Sequence, residues 1–201
     1  GEKKVEVELI EERFWERRLQ FLNINHAGAV PVFVENDITI SDSMAIFEYL
    51  EETHPEPKLL PNLPHQRAEA RRLTSWFDDK FHKEVTEKLL YERVYKKVTK
   101  TGYPSSGEIK VGIKNFKAHM DYMNWLLETR KWLAGDQMTI ADFSASAHLS
   151  SLDYINDVDW SSYNYVKDWY SKIKSRPAFR QILSDLLTGF NPPDHYSDLD
   201  F

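Results

Sequence analysis

Four prolines fall within the twelve residues His54-Pro55-Glu56-Pro57-Lys58-Leu59-Leu60-Pro61-Asn62-Leu63-Pro64-His65, and the hydrophobic period changes across them. A proline fixes its own φ, donates no backbone N–H and drives the residue before it out of the helical region. Neither a helix nor a central strand continues through such a run. It is a semi-rigid linker. The chain therefore reads as a first domain over 1–54, a linker over 55–64, a helical domain over 65–187 and a tail over 188–201.

Ahead of the linker, residues 5–10 (VEVELI) alternate apolar and charged, the period-two pattern of a strand with one buried face. Residues 15–22 (WERRLQFL) predict a short irregular helix. Asn25-His26-Ala27-Gly28 is a turn signal, and the run from Val30-Pro31 through Glu35-Asn36-Asp37 to Ile40 predicts a hairpin over 31–40. From Asp42 the period becomes helical through Met44, Ile46, Phe47, Tyr49 and Leu50, ending before His54-Pro55. One strand plus a hairpin leaves an uncovered edge. A further strand and helix ahead of Gly1 would complete a βαβ–α–ββα unit, the helix being the crossover that a parallel pair requires.

Past the linker everything predicts helix. Leu73, Trp76, Phe77, Phe81, Val85, Leu89, Leu90 and Val94 mark one long or kinked helix over 65–98. Tyr103-Pro104-Ser105-Ser106-Gly107 interrupts it, and helices follow over 108–130, 140–156, 162–175 and 177–187. The tail (TGFNPPDHYSDLDF) has no periodicity. Its Tyr196, Leu199 and Phe201 are interleaved with Asp198 and Asp200, which suits a disordered end, a docking peptide or a segment that Pro192-Pro193 folds back onto its own domain.

Composition removes several functions. A net charge of −6 offers little of the clustered positive charge that nucleic acid requires. No apolar run approaches the roughly 20 residues that a membrane-crossing helix needs. Without cysteine there are no disulfides, thiolate metal sites or cysteine nucleophiles in this chain, which is compatible with a reducing cytoplasm. Gly1-Glu2-Lys3-Lys4 runs straight into strand-like sequence, so no secretory peptide is visible in this stretch. His82, His119 and His148 lie on predicted helices without metal-ligand spacing, so no metal is expected.

Two short motifs carry candidate chemistry. In Asn25-x-x-Gly28-x-Val30-Pro31 a proline opens a strand, which belongs at an edge or bulge; by itself this is a structural turn. Asp42-Ser43 opens a helix, where unpaired amides and a partial positive charge attract anions, though either residue also serves as a plain N-cap. Trp15, a large aromatic among Glu16, Arg17 and Arg18, is either a partner anchor or a half-buried structural residue.

Taken together, VPVFVENDITISDSMAIFEYLEETHPEPKLLP resembles the glutathione-binding segment and interdomain linker of the glutathione transferase superfamily. Leu133-Ala134-Gly135-Asp136-x-Met138-Thr139-Ile140-Ala141-Asp142-Phe143 resembles that superfamily's N-capping box and hydrophobic staple. The resemblance covers essentially the whole chain. It implies a thioredoxin-like α/β domain, lacking its first strand and most of its first helix, followed by an all-α helical domain. It also implies a glutathione site in which Val30 and Pro31 hold the cysteinyl backbone and Asp42 and Ser43 hold the γ-glutamyl end. The superfamily's catalytic Ser, Tyr or Cys follows the first strand, so that position is expected to lie outside this chain. A homodimer is implied as well.

The segments GEKKVEVELIEERFWERR, AHLSSLDYINDVDW and PPDHYSDLDF are similar to an α-proteobacterial branch that includes a division protein binding filaments of the tubulin-like FtsZ. That likeness implies a cytoplasmic regulator with weak or no transferase activity, using Trp15, Asp198 and Phe201 for its partner. The alternative is an active transferase joining glutathione to electrophilic small molecules.

Overall fold

The computed structural model describes residues 1–199. The chain divides after Lys58. The proline-rich segment is split by that division. Leu59, Leu60 and Pro61 are buried in the second unit, where Ile140 N–H donates to the Leu59 carbonyl at 3.2 Å.

The first unit is built on a hairpin of β1 (Val32–Glu35) and β2 (Ile38–Ser41), preceded by helix α1 (Leu19–Ile24) and followed by α2 (Ser43–Thr53). Asn36 turns the hairpin at φ +52°, a conformation that asparagine tolerates better than most residues. The register pairs Val32 with Ser41 and Glu35 with Ile38. Two expectations change here. Residues 5–10 have the alternation of a strand but join no ladder among the described residues, and Leu9 is 90% exposed. Alternation prescribes two faces; a strand also needs a pairing partner, which its own sequence cannot supply. The helix expected over 15–22 is instead a 3-10 turn at Phe14–Glu16 and then α1, because Arg17 takes the left-handed conformation at φ +47° and breaks the path.

Lys3 holds the end of α2. Its side chain is nearly buried; Nζ pairs with Glu51 at 2.7 Å and donates to the carbonyls of His54 and Pro57 at 2.7 and 3.0 Å. A cation there meets the negative end of the helix dipole and satisfies a carbonyl just past the helix end.

The second unit is helical. One continuous rod covers residues 64–99: α3 (Pro64–Ser75), a π-helical stretch (Trp76–Thr86), α4 (Glu87–Leu90), a second π stretch (Tyr91–Tyr95) and α5 (Lys96–Thr99). Then come α6 (Ser106–Thr129), α7 (Ile140–Tyr154), α8 (Asn164–Lys174) and α9 (Pro177–Leu183). The long helix was legible; its π stretches were not. Leu73, Phe77, Phe81, Val85 and Leu89 recur every fourth residue and all are fully buried. An ordinary helix turns about 100° per residue, so a spacing of four overshoots each turn by about 40° and would carry Leu89 to the far side of Leu73. Wider i→i+5 turns take up that excess and keep the stripe facing the core.

The stripe shares one core with Phe116, Met120 and Met123 of α6, Leu149 and Leu152 of α7, and Trp169 and Ile173 of α8. Gly112 of α6 lets the helices close up, since a Cβ there would stand 2.8 Å from Leu89 Cδ2. α7 begins at the capping box, and Asp142 does more than cap. Wholly buried, it accepts from Thr139 N–H at 2.8 Å, Thr139 Oγ1 at 3.3 Å, Leu133 N–H at 3.0 Å and the Trp169 indole at 2.8 Å. One carboxylate thus ties the helix start to the preceding loop and to α8. The last helix stops at Leu183, four residues short of the 187 expected, and the following chain folds back on the bundle.

Candidate functional site

Local forces shape the turn before β1. Asn25 is buried; its Oδ1 accepts from Ala27 N–H at 3.1 Å and its Nδ2 donates to the Ala29 carbonyl at 2.8 Å, so one side chain braces both arms. Gly28 sits at φ +64°, and an added Cβ would stand 3.0 Å from Leu22 Cδ2, so only glycine suits the position. The braced turn delivers Val30-Pro31, joined by a cis peptide bond, at the start of β1. Val30 is 47% exposed and Pro31 is also exposed.

Asp42 caps α2. Its Oδ1 accepts from Met44 N–H at 2.8 Å and Ala45 N–H at 3.2 Å. Its backbone lies at φ +81°, ψ 127°, outside the ordinary regions for a side-chain-bearing residue. Strain of this sort persists only where the surroundings enforce it, and it gathers at binding sites. Ser43, the first helical residue, is exposed. The Val32–Ser41 pairing sets Val30-Pro31 and Asp42-Ser43 at the same end of the hairpin. An exposed main-chain edge beside a helix N-terminus has the chemistry to hold an extended peptide that carries a carboxylate. On the same unit, the Tyr49 hydroxyl donates to Glu35 at 2.8 Å, and that bond with burial raises its pKa.

The residues predicted for a partner fall on both units. Trp15 is half-buried in the first unit, edge-on to Phe14 with ring centres 5.3 Å apart. Asp198 is exposed on the second unit. Phe201 lies outside the described residues. The tail before Asp198 is strapped to its own helical unit. The Tyr154 hydroxyl receives Leu187 N–H at 2.8 Å and donates to the Phe190 carbonyl at 3.2 Å. Lys97 reaches the Gly189 carbonyl at 3.1 Å with its charge over the Phe190 ring, and buried Tyr196 meets Ser150 Oγ at 2.9 Å. Of the readings open for this segment, folding back describes residues 187–196. Nothing local signalled the strap, since its partners lie 21 to 92 residues away in sequence.

The histidines serve the bundle. Buried His119 accepts the Trp76 indole N–H at Nδ1 (3.0 Å) and meets Glu84 through Nε2 (2.9 Å), and burial lowers its pKa. His148 Nδ1 lies 2.8 Å from Thr86 Oγ1. Among the described residues no group of three or more His, Asp or Glu side chains is placed to hold a metal, and no helix is long and apolar enough to cross a membrane.

A small α/β unit built on a hairpin, followed by a helical unit in which a capping box starts α7, defines a glutathione-transferase fold. The glutathione S-transferase N-terminal domain family matches residues 1–52 and the glutathione S-transferase C-terminal domain family residues 105–184. The chain belongs to the glutathione S-transferase family.

Within it, the chain is 44% identical to FtsZ-localized protein A of Caulobacter vibrioides, over 100% of this chain and 90% of that protein. The solved structure of FzlA from C. crescentus superposes with a TM-score of 0.96 at 43% identity, covering 100% of this chain and 91% of that one. A glutathione S-transferase from Rhodospirillum rubrum F11 gives a TM-score of 0.96 at 47% identity, covering 100% and 90%.

Proposed function

We propose that the protein is a filament-binding member of its family, a regulator of FtsZ in cell division with weak or no transferase activity. The observation that carries this reading is the likeness, along the whole chain, to a relative named for its localisation with FtsZ. Trp15 and Asp198, with Phe201 from the sequence, are the residues we assign to the filament. A partner of that kind places the protein in the cytoplasm.

A second reading, conjugation of glutathione to an electrophilic small molecule, is favoured by the half-site. Val30 N–H and C=O, which make no main-chain hydrogen bond among the described residues, would pair with the cysteinyl backbone beside Pro31. Ser43 at the start of α2 would receive the γ-glutamyl carboxylate and Asp42 its ammonium. We assign no residue of this chain to activating the thiol.

We also read the protein as a homodimer. Trp125 is 63% exposed and stacks on Tyr122, which packs against Trp76, an aromatic patch suited to burial against a second copy. Sedimentation of wild type against Trp125→Glu tests this: a monomeric wild type refutes it.

Co-sedimentation with polymerised FtsZ, beside calorimetric titration with glutathione, separates the two functions. Filament binding without heat at about millimolar glutathione supports the regulator (a Kd near 1 mM is about −4 kcal/mol). Conjugation of a chlorodinitrobenzene-type electrophile that disappears in Ser43→Ala would establish the transferase instead.

A further inference from the structure

Lys174 is wholly buried, an environment that a lysine tolerates only with partners. Its Nζ donates to the His195 main-chain carbonyl at 2.9 Å and stands 5.7 Å from the centre of the Tyr170 ring. Asp153 and Asp198 are the charges that face it. Asp153 is wholly buried too, and its Oδ1 accepts from the Trp160 indole at 2.8 Å and His195 Nε2 at 2.9 Å. Opposite charges from α7 and α8 therefore grip one tail residue, Lys174 by its backbone and Asp153 by its ring. A single anchor would leave the segment free to pivot, whereas two fix its orientation. Tyr196, the next residue, is seated on Ser150.

We propose that Lys174 and Asp153 are positioning residues for the tail: they set where, and in which direction, the helical unit presents exposed Asp198, while Leu199 beside it packs on the core. The filament-facing role of this end rests on the function proposed above; the latch itself does not. The 3-10 turn Asp194–Tyr196 is the part held. Placing a buried charge pair under a terminal turn makes its attachment specific in register, because an apolar contact tolerates sliding and a donor–carbonyl bond does not.

The test uses the full chain. Lys174→Met keeps the stem and removes the charge. His195→Ala removes the ring contact from the tail side, while Asp153 keeps the Trp160 indole as donor and the Lys174 bond to the main-chain carbonyl is retained. Hydrogen exchange of the amides from 190 to 199 and co-sedimentation with polymerised FtsZ are both read. Both variants should raise exchange at least about tenfold in those amides and weaken sedimentation by a similar factor. Unchanged exchange overturns the latch. Faster exchange with undiminished sedimentation overturns the positioning role. Wild-type protein that does not sediment with filaments overturns the function reading and the positioning role together, and the exchange result then stands on its own for the latch.

Discussion

Replacing Asp142 by Asn keeps the side chain's shape while removing its charge and one of its two acceptor oxygens. Each oxygen serves two donors: Oδ1 takes Leu133 N–H and the Trp169 indole, Oδ2 takes Thr139 N–H and Oγ1. Three of these are N–H groups with no lone pair, so the site suits the ionised form, while burial works against it and raises the pKa. An Asn amide must turn its NH2 toward one pair. The cheaper orientation faces Thr139, whose hydroxyl can rotate to accept, leaving Thr139 N–H buried without a partner at about 1–3 kcal/mol. The remaining two bonds fall from charge-assisted to neutral, about 1 kcal/mol each. Relief of carboxylate burial returns part of this, for a net loss of about 3 kcal/mol. In a chain of this size that lowers Tm by roughly 10 °C, read by calorimetry. Trp169→Phe removes one donor and leaves the carboxylate three, so it should cost less, and the double variant should cost less than the sum. A shift below about 3 °C for Asp142→Asn would refute the hub.

Lys3→Met should free the last turn of α2, leaving Glu51 without its ion pair, and cost the first unit about 2 kcal/mol; faster exchange of amides near His54 is the readout, and unchanged exchange removes the role. Glu69 is gripped by Arg72 and then Arg130, which hold its pKa down to about 2. With the folded pKa below the unfolded one, its contribution of about 1 kcal/mol is present above about pH 4.5 and lost as pH falls toward 2. Glu69→Gln should flatten that acid limb in urea titrations, after a discount for partial exposure. His119 titrates the other way from a gain in charge. Burial lowers its folded pKa, so the unfolded chain takes the proton first and stability falls as pH drops below about 6.5. Gln at 119 can accept from Trp76 and donate to Glu84, so His119→Gln should lose less stability than wild type between about pH 7 and 5.5; parallel curves would refute the assignment.

What the sequence determined by itself is what acts over a few residues. The proline run ended one pattern and began another. Asn36 and Asp42 set the hairpin turn and the start of α2, Thr139 and Asp142 the start of α7, and Pro177 the start of α9. The local geometry at Val30, Pro31, Asp42 and Ser43 was readable because a turn, a strand start and a helix cap each leave a local signature. Tertiary structure decided the rest. VEVELI has the alternation of a strand, yet pairing depends on a neighbour. The four-residue spacing from Leu73 to Leu89 is neither helical period, and only burial of all five residues required π turns. Asp142's capping role is visible three residues away, but its bonds to Leu133 and Trp169 exist because α8 packs there. The tail was undecided for the same reason. Tyr196 and His195 look like solvated residues until Ser150, Asp153 and Lys174 arrive from distant helices, and burial and charge pairing act only once the chain has brought them together.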